Sequence, residues 1–184
     1  MDINTFKANL IGGGARANQF RVTIPFPTGI AMFLEGTRTS YMCKGASLPS
    51  TSITEITVPF RGRNIYIAGD RTAPEPWETT FYNDTDFMIK TAIENWSNGI
   101  NDFVSTKGVI HPADYEVDLT VEQLDRDDTI LKTYIFRDAW PTTTGAAIDL
   151  TTDEATAIEE FSVTWRYQHF EASGVFSDQG AGAT

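Results

Sequence analysis

The sequence predicts a mainly β protein, a β-sandwich or barrel-like domain with one helix covering an opening or an edge. Three observations favour this class. About eight segments alternate apolar and polar side chains with period two, one segment has a helical apolar period, and proline or glycine separates most of them. The chain has 184 residues, of which 41% are hydrophobic and 21% charged. It is therefore long enough to bury a core without disulfides or a structural metal.

The first fifteen residues predict a flexible arm. They end in Gly12-Gly13-Gly14 and carry Phe6 and Leu10 as isolated apolar side chains. The glycines lack the Lys-Ser/Thr pair of a phosphate-binding loop, so a hinge is the better interpretation. We expect the folded domain to span 16–170, and the Gly/Ala-rich segment 171–184 to form a second flexible tail.

Strand patterns fill the first half of the domain. Alternation predicts a strand at 20–24, which Pro25 stops, and a second candidate at 41–46. Runs at 53–60 and 65–68 flank the turn-like residues 61–64 and predict a hairpin. A further strand at 77–82 follows Pro74 and Pro76.

The only strong helical pattern covers roughly 86–97. Ile89, Ile93 and Trp96 repeat at helical spacing and predict an apolar face that packs on the sandwich. Asp84 or Thr85 is the expected N-terminal cap, and Asn98-Gly99 the expected end.

Three longer strand patterns follow, at 115–121, 129–137 and 160–168. In the first, Val117, Leu119 and Val121 lie on one face, and Glu116, Asp118 and Glu122 on the other. The second has apolar side chains at both parities, which indicates burial on two sides.

Composition and motifs give no support to an enzyme or a cofactor protein. The two histidines, His111 and His169, do not combine with Cys43 or carboxylates at metal-ligand spacing, and no serine-nucleophile motif occurs. Asp125-Arg126-Asp127-Asp128 lacks the glycine and glutamate of a calcium loop. Cys43 fits a small buried hydrophobe in a reducing compartment. We predict no catalytic site, no metal and no cofactor.

Charge placement is more informative than any motif. The net charge is −11, so the chain repels nucleic-acid phosphates and anionic lipid. Carboxylates concentrate in 114–128 and 149–160, whereas 61–71 contains Arg61, Arg63 and Arg71 against Asp70. One interpretation is an ordinary solvated surface. The other is a projecting segment, about 46–76, whose basic groups dock on an acidic surface of another copy, a contact that builds rings or filaments.

Ordered motifs along some 150 residues resemble the tail tube protein family of contractile-tailed bacteriophages. The matching pieces include Gly13-Gly14-Ala15-Arg16-Ala17-Asn18, Val58-Pro59-Phe60-Arg61-Gly62-Arg63, Ala68-Gly69-Asp70-Arg71, Pro112-Ala113-Asp114-Tyr115-Glu116 and Ile158-Glu159-Glu160-Phe161. This version is most similar to those of phages of marine bacteria and cyanobacteria. Segment 29–35 is more apolar than the family pattern, and the chain after Glu171 departs from it.

The resemblance implies an assembly. β-Sandwich subunits would form a hexameric ring, their strands completing one closed inner β-barrel, and the rings would stack helically inside a contractile sheath. Expected partners are copies of the chain, the tail sheath protein, and baseplate and tail-terminator proteins. Phage DNA would pass through the lumen without specific binding. The protein would be made in the host bacterial cytoplasm and reside in the virion, without a membrane anchor.

Within that assembly we predict inter-subunit roles for Arg61, Arg63, Asp70 and Arg71. Glu116, Asp118 and Glu122 are the candidates for lining the lumen; the alternative is that they face the sheath or solvent outside. Two related functions stay open: a tube-like baseplate initiator or terminator adaptor, and a secretion-system tube protein. A soluble β-sandwich binding module would need an exposed aromatic pocket, which the sequence does not indicate.

Overall fold

The computed structural model describes residues 2–29, 36–145 and 158–173. These ranges contain three α-helices and nine strands. The helices are α1 (Ile3–Asn9), α2 (Gly36–Met42) and α3 (Met88–Ile100). The strands are β1 (Phe20–Thr23), β2 (Cys43–Ala46), β3 (Ile53–Phe60), β4 (Arg63–Arg71), β5 (Trp77–Tyr82), β6 (Val117–Leu124), β7 (Ile130–Thr144), β8 (Glu160–Arg166) and β9 (His169–Ala172).

The fold is a β-sandwich whose two layers share one long bent strand, β7. The first layer has the order β1, β6, β7, β9, and the second the order β7, β8, β5, β2, all antiparallel. β7 leaves the first layer near Asp138, which has a φ of 54°. A bulge at this point allows one strand to serve both layers.

Large aromatic side chains fill the space between the layers. Trp77 in the second layer stacks on Phe136 in the first, with ring centroids 4.4 Å apart. Val22, Leu119 and Val163 are fully buried beside them. The alternation seen in the sequence therefore points its apolar rows into one core, as predicted for a mainly β domain.

Helix α3 closes one end of the sandwich. Ile89, Ile93 and Trp96 are buried as predicted, and Trp96 lies against Phe26 and Trp165. The boundaries differ from expectation: the helix begins at Met88 after Phe87 at φ 52°, without a side-chain cap, and continues to Ile100. Asp84, one of the two expected caps, binds Arg38 of α2 instead. Asp86 also binds Arg38, and its Oδ1 accepts a hydrogen bond from the Met88 amide at the start of α3, at 3.1 Å.

Three elements were not predicted. α1 lies within the segment interpreted as an arm, α2 overlaps the start of the strand predicted at 41–46, and β9 extends past residue 170. β6 begins at Val117 rather than 115, and β7 continues beyond residue 137 through Pro141 to Thr144. Most of the acidic segment 149–160, all of the apolar segment 29–35 except Gly29, and the tail after 173 lie outside the described residues.

Candidate assembly surfaces

The hairpin β3–β4 stands apart from the sandwich. Within the described ranges its strands pair with each other and with no third strand. Arg61 (φ 47°) and Gly62 (φ 81°) form a two-residue turn with both φ values positive, which matches the right-handed twist of paired strands. Such a ribbon is marginally stable alone, so it requires contact with other surfaces.

The two faces of this hairpin differ sharply. The cross-strand pairs Ile56–Ile67 and Val58–Ile65 lie on one face, and the next pair on that face is Phe60–Arg63. The other face carries the pairs Glu55–Ala68, Thr57–Tyr66 and Pro59–Asn64. The first set, the hairpin apolar face (Ile56, Val58, Phe60, Ile65, Ile67), is exposed to solvent in the single chain. Exposed apolar surface of this extent marks an interaction site.

The four predicted interface residues do not form one cluster. Arg61 and Arg63 lie at the tip, whereas Arg71 pairs with Ile53 at the base. Asp70 is next to Arg71, and its backbone carbonyl accepts a hydrogen bond from Thr54 Oγ1 at 2.8 Å. Arg71 follows Arg63 by eight positions along β4, which is roughly 25 Å at strand rise. The alternation in 53–60 already places Ile56, Val58 and Phe60 on one face of the strand, but the prediction for this segment was based on its charged residues alone.

The outward side of the first layer carries paired charges. Asp118 and Glu122 lie on it, on one face of β6 as predicted, while Leu119 and Val121 point inward. Arg137 binds both Asp118 and Glu171 (Nη2 to Oε2 3.0 Å), and Arg21 Nη1 lies 3.4 Å from Glu122 Oε2. The Arg137 hydrogen bond holds the pKa of Glu171 below its usual range. Two arginines thus face three carboxylates, and the predicted acidic row is largely compensated.

Glu116 lies apart from Asp118 and Glu122. It precedes β6, and its amide donates to the Pro112 carbonyl at 2.9 Å, in the turn after a short 3₁₀ helix, Pro112–Asp114. Burial, and then the charge of Asp138, raise the pKa of its carboxyl. The alternating pattern predicted Glu116, Asp118 and Glu122 on one strand face. The strand begins only at Val117, because the backbone before it is a turn, so Glu116 does not belong to that face.

The loop after α3 forms another exposed apolar site. Asp102 accepts hydrogen bonds from the amides of Val104 (2.8 Å) and Ser105 (2.6 Å), which lower the pKa of its carboxyl. Phe103 and Val104 project from this ordered loop with 90% and 95% of their surface exposed. No sequence motif indicated this site.

Binding chemistry is sparse among the described residues. No group of three or more His, Cys, Asp or Glu side chains there could hold a metal ion. None of the described helices is long and apolar enough to cross a membrane. Cys43 is largely buried, and this burial raises the pKa of its thiol to about 12.

Comparison with known proteins gives the family. The family model for phage tail tube protein matches residues 15–173. The tail tube protein of Serratia phage KSP90 is 29% identical over 167 residues, covering 90% of this chain and 93% of that protein. The tail tube protein gp19 of Enterobacteria phage T4 is 30% identical over 165 residues, covering 87% and 93%. The expected likeness to marine and cyanobacterial phages stays a prediction.

Solved structures agree on the fold. A chain of the PVC extracellular contractile injection system sheath–tube complex aligns with a TM-score of 0.57 at 14% identity, covering 95% of this chain and 99% of that chain. A chain of the anti-feeding prophage baseplate aligns with a TM-score of 0.59 at 14% identity, covering 86% and 95%. The predicted family and its β fold are confirmed; the closed inner barrel, a property of a ring, stays a prediction. The chain belongs to the phage tail tube protein family and is a structural subunit of such a tube.

Proposed function

We propose that this chain is the repeating subunit of a contractile-tail tube, with stacked hexameric rings forming the conduit for genome ejection. The observation that carries this proposal is the free-standing hairpin with one apolar face. Exposing that face to water does not stabilise a monomer. A heterologous contact with a neighbouring copy covers the face, and the same contact can repeat along the tube. Joining sheet edges of neighbouring subunits into a barrel would also remove the edge strands β1 and β9.

The hairpin apolar face is the part of this contact that supplies affinity. Burying apolar side chains is the main favourable term in association, whereas exposed arginines set orientation and register. Arg61 and Arg63 at the tip then select the docking direction, and Asp70 and Arg71 contact a different part of the neighbour, near the hairpin base.

The test compares variants of the two faces. Val58→Thr with Ile65→Thr keeps strand propensity but removes apolar surface, and we expect loss of tubes in negative-stain micrographs with a folded monomer by circular dichroism. The matched control is Tyr66→Thr on the opposite face, which should assemble. Arg61→Glu with Arg63→Glu should also weaken assembly. Normal tubes from both double variants would overturn the docking proposal.

We further propose that the outward side of the first layer lines the lumen, with Asp118 and Glu122 on the wall and Glu116 at its end. Because Arg21 and Arg137 compensate Glu122 and Asp118, the wall is weakly negative, and its field reaches only about 8 Å at physiological salt. DNA would pass without adsorbing.

Asp118→Lys with Glu122→Lys tests the lumen assignment. Assembled tubes of this variant should retain DNA in a salt-sensitive manner. Glu75→Lys with Glu94→Lys, which changes two exposed acids elsewhere, is the control. A variant tube that fails to bind sheath but passes DNA normally would place these acids outside.

The proposed partners are the sheath, the baseplate and terminator proteins, and DNA in transit; the role is structural rather than catalytic. The subunit is a virion component. An initiator or terminator adaptor is the second candidate function, because chains from baseplate, terminator and cap assemblies share this fold. Tube length separates the two functions: a repeating subunit forms long tubes, whereas an adaptor forms single rings.

A further inference from the structure

A groove lies between the loop that follows β1 (26–29) and the segment that leads into β6 (109–117). It has a volume of about 510 Å³. Its apolar lining includes Phe26, Pro27, Val109 and Ala113, and two carboxylates, Asp114 and Glu116, also line it.

The acids of this groove have no basic partner among the residues that the structure describes. Within the described ranges neither Asp114 nor Glu116 forms an ion pair, unlike Asp118 and Glu122 on the neighbouring sheet face. Burial, and then the like charge of Asp138, raise the pKa of the Glu116 carboxyl. A cation entering the groove would stabilise the Glu116 carboxylate, because it offsets this desolvation and repulsion.

The hairpin tip has the complementary chemistry. Phe60 is 56% exposed, and the Arg61 guanidinium lies over its ring at 5.5 Å from the centroid. Arg63 pairs with Phe60 across the turn. In the described part of the chain neither arginine forms an ion pair. The tip therefore presents one aromatic ring and two cations to whatever it meets.

We propose that this groove receives the hairpin tip of a second copy of the chain, with Phe60 on the apolar lining and Arg61 and Arg63 beside Asp114 and Glu116. The inference rests on the proposed hairpin docking and adds its acceptor site. Apolar surface and opposite charge match on the two sides. Since tip and groove are different parts of the chain, each subunit can give and receive one contact, so the contact can repeat around a ring or along the tube.

Charge exchange tests the pairing. Arg61→Glu with Arg63→Glu, and separately Asp114→Lys with Glu116→Lys, should each lower tube yield by about tenfold or more, because each leaves like charges facing one another. Combining all four changes should restore tubes. The control combines the arginine reversals with Glu75→Lys and Glu94→Lys, and it should not restore them. Restoration by the control as well would show a general charge effect and overturn the pairing.

A pair of introduced cysteines gives a second test, which does not depend on whether the charge variants fold. Arg61→Cys with Asp114→Cys, oxidised in assembled tubes, should give a ladder of covalent oligomers on a non-reducing gel. Each variant with only one of the two introduced cysteines should give no species beyond a dimer, since the native Cys43 thiol is largely buried and its pKa is raised to about 12. Crosslinks confined within monomers, or none in assembled tubes, would overturn the acceptor site.

The two proposals fail differently. If the arginine reversals and the Val58→Thr with Ile65→Thr variant both leave tubes normal, hairpin docking itself is wrong. If they abolish tubes, but the four-change variant is not rescued and no ladder forms, the hairpin docks elsewhere and only the acceptor inference is lost.

Discussion

Replacing Trp96 with alanine should destabilise the monomer by about 4–5 kcal/mol, near the upper end of the range for large-to-small core changes. The side chain is fully buried, and its Nε1 donates to the Tyr115 carbonyl at 2.8 Å. Truncation removes contacts to Phe26 and Trp165, each worth about 0.5–1.5 kcal/mol beyond the area buried. It also leaves the Tyr115 carbonyl without its donor, at a cost of about 1–3 kcal/mol.

The assay is urea unfolding followed by far-ultraviolet circular dichroism, at a concentration where sedimentation shows only monomer. Trp96→Phe separates the contributions, since it keeps a ring and removes the N–H donor. We expect an intermediate loss of about 1–3 kcal/mol. The matched control is Phe103→Ala, because that ring is 90% exposed and its removal should cost less than about 0.5 kcal/mol.

A loss below about 1 kcal/mol for Trp96→Ala would refute the reasoning, because it would mean that α3 does not close the sandwich through this ring. A typical domain has a total stability of about 5–15 kcal/mol. The expected loss is therefore large enough to leave part of the chain unfolded before it can assemble.

Three further predictions concern other parts of the chain. Arg38 holds the pKa of the Asp84 carboxyl below its usual range, so this pair stabilises the fold above the unfolded pKa near 3.9, and the contribution disappears as pH falls through the folded value. Asp84→Asn should thus lower the melting temperature at pH 7 but not at about pH 2; an equal shift at both would contradict this linkage. The Cys43 thiol, with a pKa raised to about 12 by burial, should resist a thiol reagent at pH 8 and react fully in urea; stoichiometric labelling of the native protein would argue against its burial. Gly69→Ala should disturb the hairpin base and reduce tube yield, because the added Cβ would lie 2.7 Å from Thr54 Oγ1. The control is Gly45→Ala, whose Cβ meets nothing within 4 Å and which should assemble. Equal tube yields from the two variants would show that the hairpin base tolerates the change.

Alternation located the strands best where one face is strongly apolar. β5 matches the predicted 77–82, because Trp77, Thr79 and Phe81 point into the core and the side chains between them do not. The hairpin was also predicted, since its turn residues separate two apolar runs. β7 was predicted too short because Asp138 and Pro141 look like breaks, yet register shifts beside them let the strand change layers and continue.

The missed elements depend on distant contacts. α2 contains Thr37 and Thr39, which have modest helix propensity, and Arg38 connects it to Asp84 and Asp86 nearly fifty residues away. For the candidate site, the sequence indicated the basic residues in 61–71. It did not indicate that Arg61 and Arg63 lie at the hairpin tip while Arg71 lies at its base, the length of a strand away. The pairing of Arg137 with Asp118 and Glu171 is likewise invisible in the sequence, because it joins three strands.

The pairing of β1 with β6 has a consequence for the order in which the chain folds during synthesis. Phe20 pairs with Gln123, so β1 cannot find its partner until about a hundred more residues have left the ribosome, roughly 5–20 s at typical translation rates. The hairpin closes locally in microseconds. Its apolar face is therefore displayed on the nascent chain well before the first layer of the sandwich exists. Between hairpin closure and β1 pairing, the nascent chain exposes β1 as an unpaired strand in addition to the hairpin apolar face, which the folded monomer also exposes. Premature association and chaperone capture therefore have more surface to act on in this interval than after folding.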